Sequence, residues 1–208
     1  VAQTNPNIIW SKVYGGSSWD NGVRILPLRS GNFICIGYSE STDGLSDCNH
    51  GIEDGTIFKI DGNGNVLSKI CIGGLNDDAF NDAISYSDSE IYVCGYTKST
   101  DGLFSTNHGS WDGLIVKLDT SLNIKWQKNY GGSGGELFNH MIKLYNGDLA
   151  ILGSASSSDF DLQNAVHHGV GGMWVLILDS LGNMLINQTF GGTQGGYPGC
   201  LAKLNDSS

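Results

Sequence analysis

Apolar residues in this chain fall in short runs, and the runs recur on a fixed period. The stretches "FICIGY" at 33–38, "IYVCGY" at 91–96 and "LAILGS" at 149–154 are apolar at almost every position. A strand that reads this way is covered on both faces. Each run is preceded by another strand-like stretch, "VRILPL", "NDAISY" or "HMIKLY", and a turn, "SGN", "SDSE" or "NGD". Each is followed by a long loop and then "TIFKID", "LIVKLD" or "WVLILD". A tight turn leads to "VLSKICI", "IKWQKNY" or "MLINQTF", and a Gly-Gly pair follows. The pattern predicts four short strands per unit. Their turns are built from Gly, Asn and Asp, which tolerate the backbone angles of tight hairpins. No helical periodicity persists beyond two turns.

The Gly-Gly pairs at 15, 73, 131 and 191 set the period at 58, 58 and 60 residues. The repetition extends to the loops. "STDGLFSTNHGSWDGLIVKLD" from Ser99 matches "STDGLSDCNHGIEDGTIFKID" from Ser41 at 13 of 21 positions. The chain therefore reads as a single all-β domain over 1–208, with units near 8–65, 66–123, 124–183 and 184–208. Four-stranded antiparallel meanders on such a period predict a β-propeller. A β-solenoid is the alternative, but its coils are shorter and lack two hairpin turns each. Counting "IIWSKVY" at the start and "CLAKL" at the end gives fourteen strands, or about three and a half blades. That count implies a partial ring, either a fragment of a longer chain or one half of a ring closed by self-association.

Composition narrows the partners. Of 208 residues, 31 are glycine and only 15% are charged, which suits a turn-rich β protein. The net charge of −10 opposes nucleic acid and anionic membrane surfaces. The longest apolar run, "MWVLIL", is too short to cross a bilayer. Five cysteines occur without a CxxC; Cys35, Cys71 and Cys94 lie in strand-like runs and read as core thiols, so neither a disulfide framework nor a zinc site is expected. The opening "VAQ" is similar to the residues around a signal-peptide cleavage point.

The motif W-x-K-x-Y-G-G-S, an apolar run ending in G-Y-[ST], S-T-D-G…N-H-G-x-x-D-G and [IV]-x-K-[IL]-D together resemble the β-propeller repeats of secreted bacterial surface proteins. The repeats of Bacteroidetes proteins exported by the type IX system are similar, and seven-bladed propeller repeats are a looser match. The resemblance runs from Trp10 to about Leu204. The third unit departs from it, with Gly171-Gly172 in place of Asp-Gly and two extra residues before His168. The resemblance implies a secreted or cell-surface location and contacts with secretion or outer-membrane components. It specifies blades, not a reaction.

Alternate loops of a meander lie at opposite ends, so the long loops share one face with the Gly-Gly connections. Loops on a rigid scaffold are where binding residues sit. Asp43, Asp101 and Asp159 open these loops as S-x-D-G. They offer oxygens of the kind Ca²⁺ takes, but without a D-x-D-x-D spacing the expected role is to cap nearby backbone N–H groups. No cofactor or metal is therefore assigned. His50, His108 and His168 hold one equivalent position per unit and read as loop anchors. Residues that break the repeat are better candidates. Trp111 and Glu53 share one position, with Gly171 as the third member; Trp19 stands where the other units have Asp77 and Gly135. Exposed tryptophans stack on sugars and on protein partners. Asp20, Asp78 and Glu136 repeat too regularly for catalysis, and Glu53 alone is no mechanism. The expectation is a non-enzymatic module that binds a glycan or a protein. The alternatives are a passenger domain of an exported protein and a fragment of a glycoside hydrolase.

Overall fold

A computed structural model of the chain describes residues 7–104, 106–165, 171–191 and 198–202. They form twelve strands in three antiparallel sheets. The first sheet holds β1 (Asp20–Pro27), β2 (Phe33–Ser39), β3 (Asp54–Ile60) and β4 (Val66–Ile72). The second holds β5 (Asp78–Ser85), β6 (Glu90–Thr97), β7 (Asp112–Asp119) and β8 (Ile124–Tyr130). The third holds β9 (Glu136–Lys143), β10 (Leu149–Ala155), β11 (Gly172–Leu178) and β12 (Met184–Phe190). Each is a simple meander, its strands hydrogen-bonded in chain order. A repeat can be cut in any frame; hydrogen bonding cuts this one after each Gly-Gly pair, one strand later than the sequence units above.

The sheets stack as wedges. β5 lies on β1, β2 and β3, and β9 lies on β5, β6 and β7. First strands therefore converge while last strands diverge, an arrangement consistent with part of a propeller. Among the described residues the ring is not closed. At the converging edge, Arg24, Asp82 and His140 hold equivalent positions on β1, β5 and β9. Arg24 pairs with Asp82 Oδ1, while Asp82 Oδ2 accepts the Met141 N–H at 3.0 Å. Asp82 is 2% exposed, so these bonds satisfy a buried charge and clip the three strands together.

The middle sheet explains the all-apolar run. Ile91 and Val93 point into the core shared with the first sheet, and Tyr92 and Cys94 into the core shared with the third. Successive strand residues face opposite sides, so a sheet packed on both sides needs apolar residues at every position. An aromatic key fixes each junction. Phe80 lies over Gly55, and Phe138 over Gly113; a Cβ on either glycine would come within 2.3 or 2.6 Å of the ring.

Residues 8–14, an expected strand, have no strand hydrogen bonding. A β-strand needs a neighbour along its edge. Instead Trp10 Nε1 donates to Gly62 O at 2.8 Å and Tyr14 Oη to Gly64 O at 2.7 Å, docking the segment on the β3–β4 turn. Of the final expected strand, Cys200–Ala202 show no strand pairing, and 203–208 lie outside the described residues. Among the described residues the count is twelve. The cysteine reading also changes: Cys71 is bonded to Cys48, with Cα atoms 5.5 Å apart. The bridge ties the long loop of the first sheet to its last strand. Cys35 and Cys94 are free thiols, as expected.

Candidate functional site

The repeated loop residues build the scaffold of the long-loop face. In the second sheet, Gly74 N donates to Asp78 Oδ2 at 2.7 Å, Leu75 N to Asp101 Oδ1 at 3.1 Å, and Asn76 N to Ser99 Oγ at 3.1 Å. Ser17 N and Ser133 N make the same bond to Asp43 and Asp159, at 2.7 and 2.8 Å. The S-T-D-G loop thus receives the amide groups of the Gly-Gly connection. A Cβ at Gly16, Gly74 or Gly132 would lie 2.4–2.5 Å from the aspartate oxygen, so that connection must be glycine. Asp43, Asp101 and Asp159 fill the capping role. Among the described residues, no group of three or more His, Cys, Asp or Glu side chains is arranged to hold a metal ion.

The histidines anchor their loops. His50 N and Nδ1 both meet Asp54 Oδ2, at 2.9 and 2.7 Å, and His108 repeats this with Asp112 at 3.0 Å. Asp54 and Asp112 are fully buried, and burial raises both carboxyls above the usual range. His168 lies outside the described residues.

The residues that break the repeat are partly brought together. Glu53 Oε1 accepts the Tyr96 hydroxyl at 3.2 Å, and the Tyr96 ring stacks on Trp111 at 5.5 Å and 28°. Lys98 Nζ sits 5.0 Å above the Trp111 ring and pairs with Asp77. Backbone ladders hold the cluster in place: Asp78 N donates to Glu53 O at 2.7 Å and Glu136 N to Trp111 O at 2.9 Å. Burial raises the Glu53 carboxyl, and Asp77 and Glu40 add to the shift. Burial also pushes the Tyr96 hydroxyl up, with Glu53 the next cause. A protonated tyrosine donor is thus locked onto a partly desolvated acid, beside a stacked indole. Trp111 remains 37% exposed. Trp19 is not joined to this cluster by a ring contact but is 65% exposed at the same end of the first sheet.

Sequence reasoning missed Tyr96, Lys98 and Asp77. The signal was present in the repeat. Aligning the units places Tyr38, Tyr96 and Ser154 at one position, and Glu40, Lys98 and Ser156 at another. Trp19, Asp77 and Gly135 form a third set, and Glu53, Trp111 and Gly171 a fourth. All four sets lie where β1-, β2- and β3-type strands meet the long-loop end. Their backbones keep the scaffold's hydrogen bonds while their side chains vary.

No protein-family description matches the chain. No curated protein matches it either. Among solved structures, a mutant of the apocarotenoid oxygenase of Synechocystis aligns with a TM-score of 0.38 and 12% identity, over 82% of this chain. The chain spans 39% of that protein's length.

Proposed function

We propose that the chain is part of a secreted or cell-surface β-propeller that binds a glycan or protein ligand through the rim formed by Glu53, Tyr96, Lys98 and Trp111. The observation that carries this reading is the concentration of repeat-breaking residues on one rim, where a rigid scaffold presents a stacked, partly exposed indole beside hydrogen-bonding groups. Three features support the propeller. The sheets fan from a common edge. Apolar cores lie on both sides of the middle one. Residues 8–14 also sit on the first sheet much as β8 sits on the third, where Tyr130 Oη donates to Gly182 O at 2.7 Å. In a propeller that is the place a neighbouring blade's last strand would take. The Cys48–Cys71 bridge supports export, because such bonds persist in oxidising compartments.

Glycan-array and pull-down screening of the chain is expected to yield a ligand, with Trp111→Ala weakening binding about 30-fold, the loss typical of a central aromatic contact. Retained affinity in that variant would remove the rim from the proposal. Screens without any ligand, together with co-purification of outer-membrane export components, would leave the passenger role. One observation favours hydrolysis as a second reading: Glu53, its carboxyl raised by burial, has Asp77 beside it in a parallel bridge. A raised acid next to a second carboxylate is the pairing glycosidases use. Turnover of an oligosaccharide hit, abolished by Glu53→Gln, would establish it.

A further inference from the structure

Two bulky residues of the described chain hold left-handed backbone angles: Leu122 at φ 69° and Phe160 at φ 47°. Both stand where the other repeats use glycine. Leu122 aligns with Gly64 and Gly182, and Phe160 with Gly44 and Gly102. The left-handed conformation costs a residue with a Cβ about 1–2 kcal/mol. Burial offsets that cost for Leu122, which is 5% exposed and belongs to the core shared by the first two sheets. It does so far less for Phe160, which is 53% exposed. A half-exposed aromatic kept at a strained glycine position points to a role outside the core.

The surroundings identify the role. The Phe160 ring lies against the imidazole of His108 from the preceding sheet, at 4.8 Å and 31°. His108 lines a groove of about 730 Å³ between the second and third sheets, with Thr106, Asn129, Asp161 and Asn183. His108 Nδ1 is held by Asp112, and Asp161 Oδ2 accepts the Gly131 N–H at 3.1 Å. His108 Nε2, Asp161 Oδ1 and Asn183 Oδ1 have no hydrogen bond among the described residues. The groove thus offers unused hydrogen-bond acceptors beside the flat apolar ring of Phe160. Sugars present an apolar face of C–H groups edged by hydroxyls, which matches this combination. The net charge of −10 disfavours an anionic ligand. Two rings tilted by 31° form one platform, not the box of crossed rings that encloses a quaternary ammonium.

We propose that Phe160 and the groove beside it form a second binding site, for a neutral oligosaccharide, at the outer junction of the second and third sheets. It shares no residue with the Trp111 rim and does not depend on it. The test uses the 208-residue chain and its variants Phe160→Gly, Phe160→Trp and Trp111→Ala. Each is titrated with cellohexaose, chitohexaose, laminarihexaose and mannopentaose by calorimetry. At least one sugar is expected to bind the parent chain. Phe160→Gly restores the glycine of the other repeats; it is expected to hold or raise the melting temperature while weakening that sugar at least tenfold. Phe160→Trp is expected to retain the sugar, and Trp111→Ala to leave this site unchanged. The proposal is overturned if none of the four sugars binds, or if Phe160→Gly binds as tightly as the parent. Loss in Trp111→Ala with retention in Phe160→Gly would overturn it while supporting the rim.

Discussion

Replacing Phe138 with alanine is expected to destabilise the chain by about 3–5 kcal/mol, the range for deleting a fully buried aromatic ring. The ring is 0% exposed and joins two sheets. It fills the space over Gly113 on β7 and meets Tyr130 and Trp174 at ring distances of 6.0 and 5.1 Å. No flexible side chain stands ready to collapse into the space, because the facing residue is a glycine. Urea denaturation of the parent and the variant measures the loss. A double-mutant cycle isolates the key-and-hole contact. Gly113→Ala alone places a Cβ 2.6 Å from the ring and is expected to destabilise. In the Phe138→Ala background the same change fills part of the void, so its cost is expected to vanish or reverse. Additive effects would mean that the two residues do not couple across the junction.

Removing the Cys48–Cys71 bridge is expected to cost about 3 kcal/mol, the chain-entropy value for a loop of this size. The bonded cysteines lie 23 positions apart in the chain. The same positions in the second sheet carry Thr106 and Asn129, joined by a hydrogen bond of 2.7 Å. Such a bond is worth about 1 kcal/mol, so the first sheet holds its loop more firmly than the second. Denaturation with and without a reducing agent measures the difference, and Cys48→Ser/Cys71→Ser is expected to match the reduced parent. Unchanged stability on reduction, with five thiols titrating in the unreduced unfolded chain, would show that the bridge does not form.

The amino-acid pattern made most of the architecture legible, and the reasons are physical. The Gly-Gly period is readable because the connections at Gly16, Gly74 and Gly132 must admit an aspartate oxygen where a Cβ would stand. The apolar runs are readable because β6 is packed on both faces. Residues 8–14 misled because their W-x-K-x-Y pattern matches β8, a true strand; pairing depends on a neighbouring edge, which the local pattern does not report. Cys71 misled because its place in a strand is that of an ordinary core thiol, and its partner appears in only one loop. Without a second copy of the pair, no spacing marked the bridge. The candidate site was half legible. Glu53 and Trp111 stood out by breaking the repeat. Tyr96, which joins them, was hidden inside an apolar run whose strand reading was correct.

The proposed propeller requires three sheets turning about a common centre. Pulsed electron–electron distances between nitroxides test this directly. Labels belong on Leu67, Lys125 and Leu185, the exposed equivalent positions on β4, β8 and β12, taken in pairs with Cys35, Cys94 and Cys200 replaced by alanine. Rotation about an axis predicts equal 67–125 and 125–185 distances and a 67–185 distance clearly shorter than their sum. A 67–185 distance equal to that sum would place the sheets in a straight stack and contradict the account.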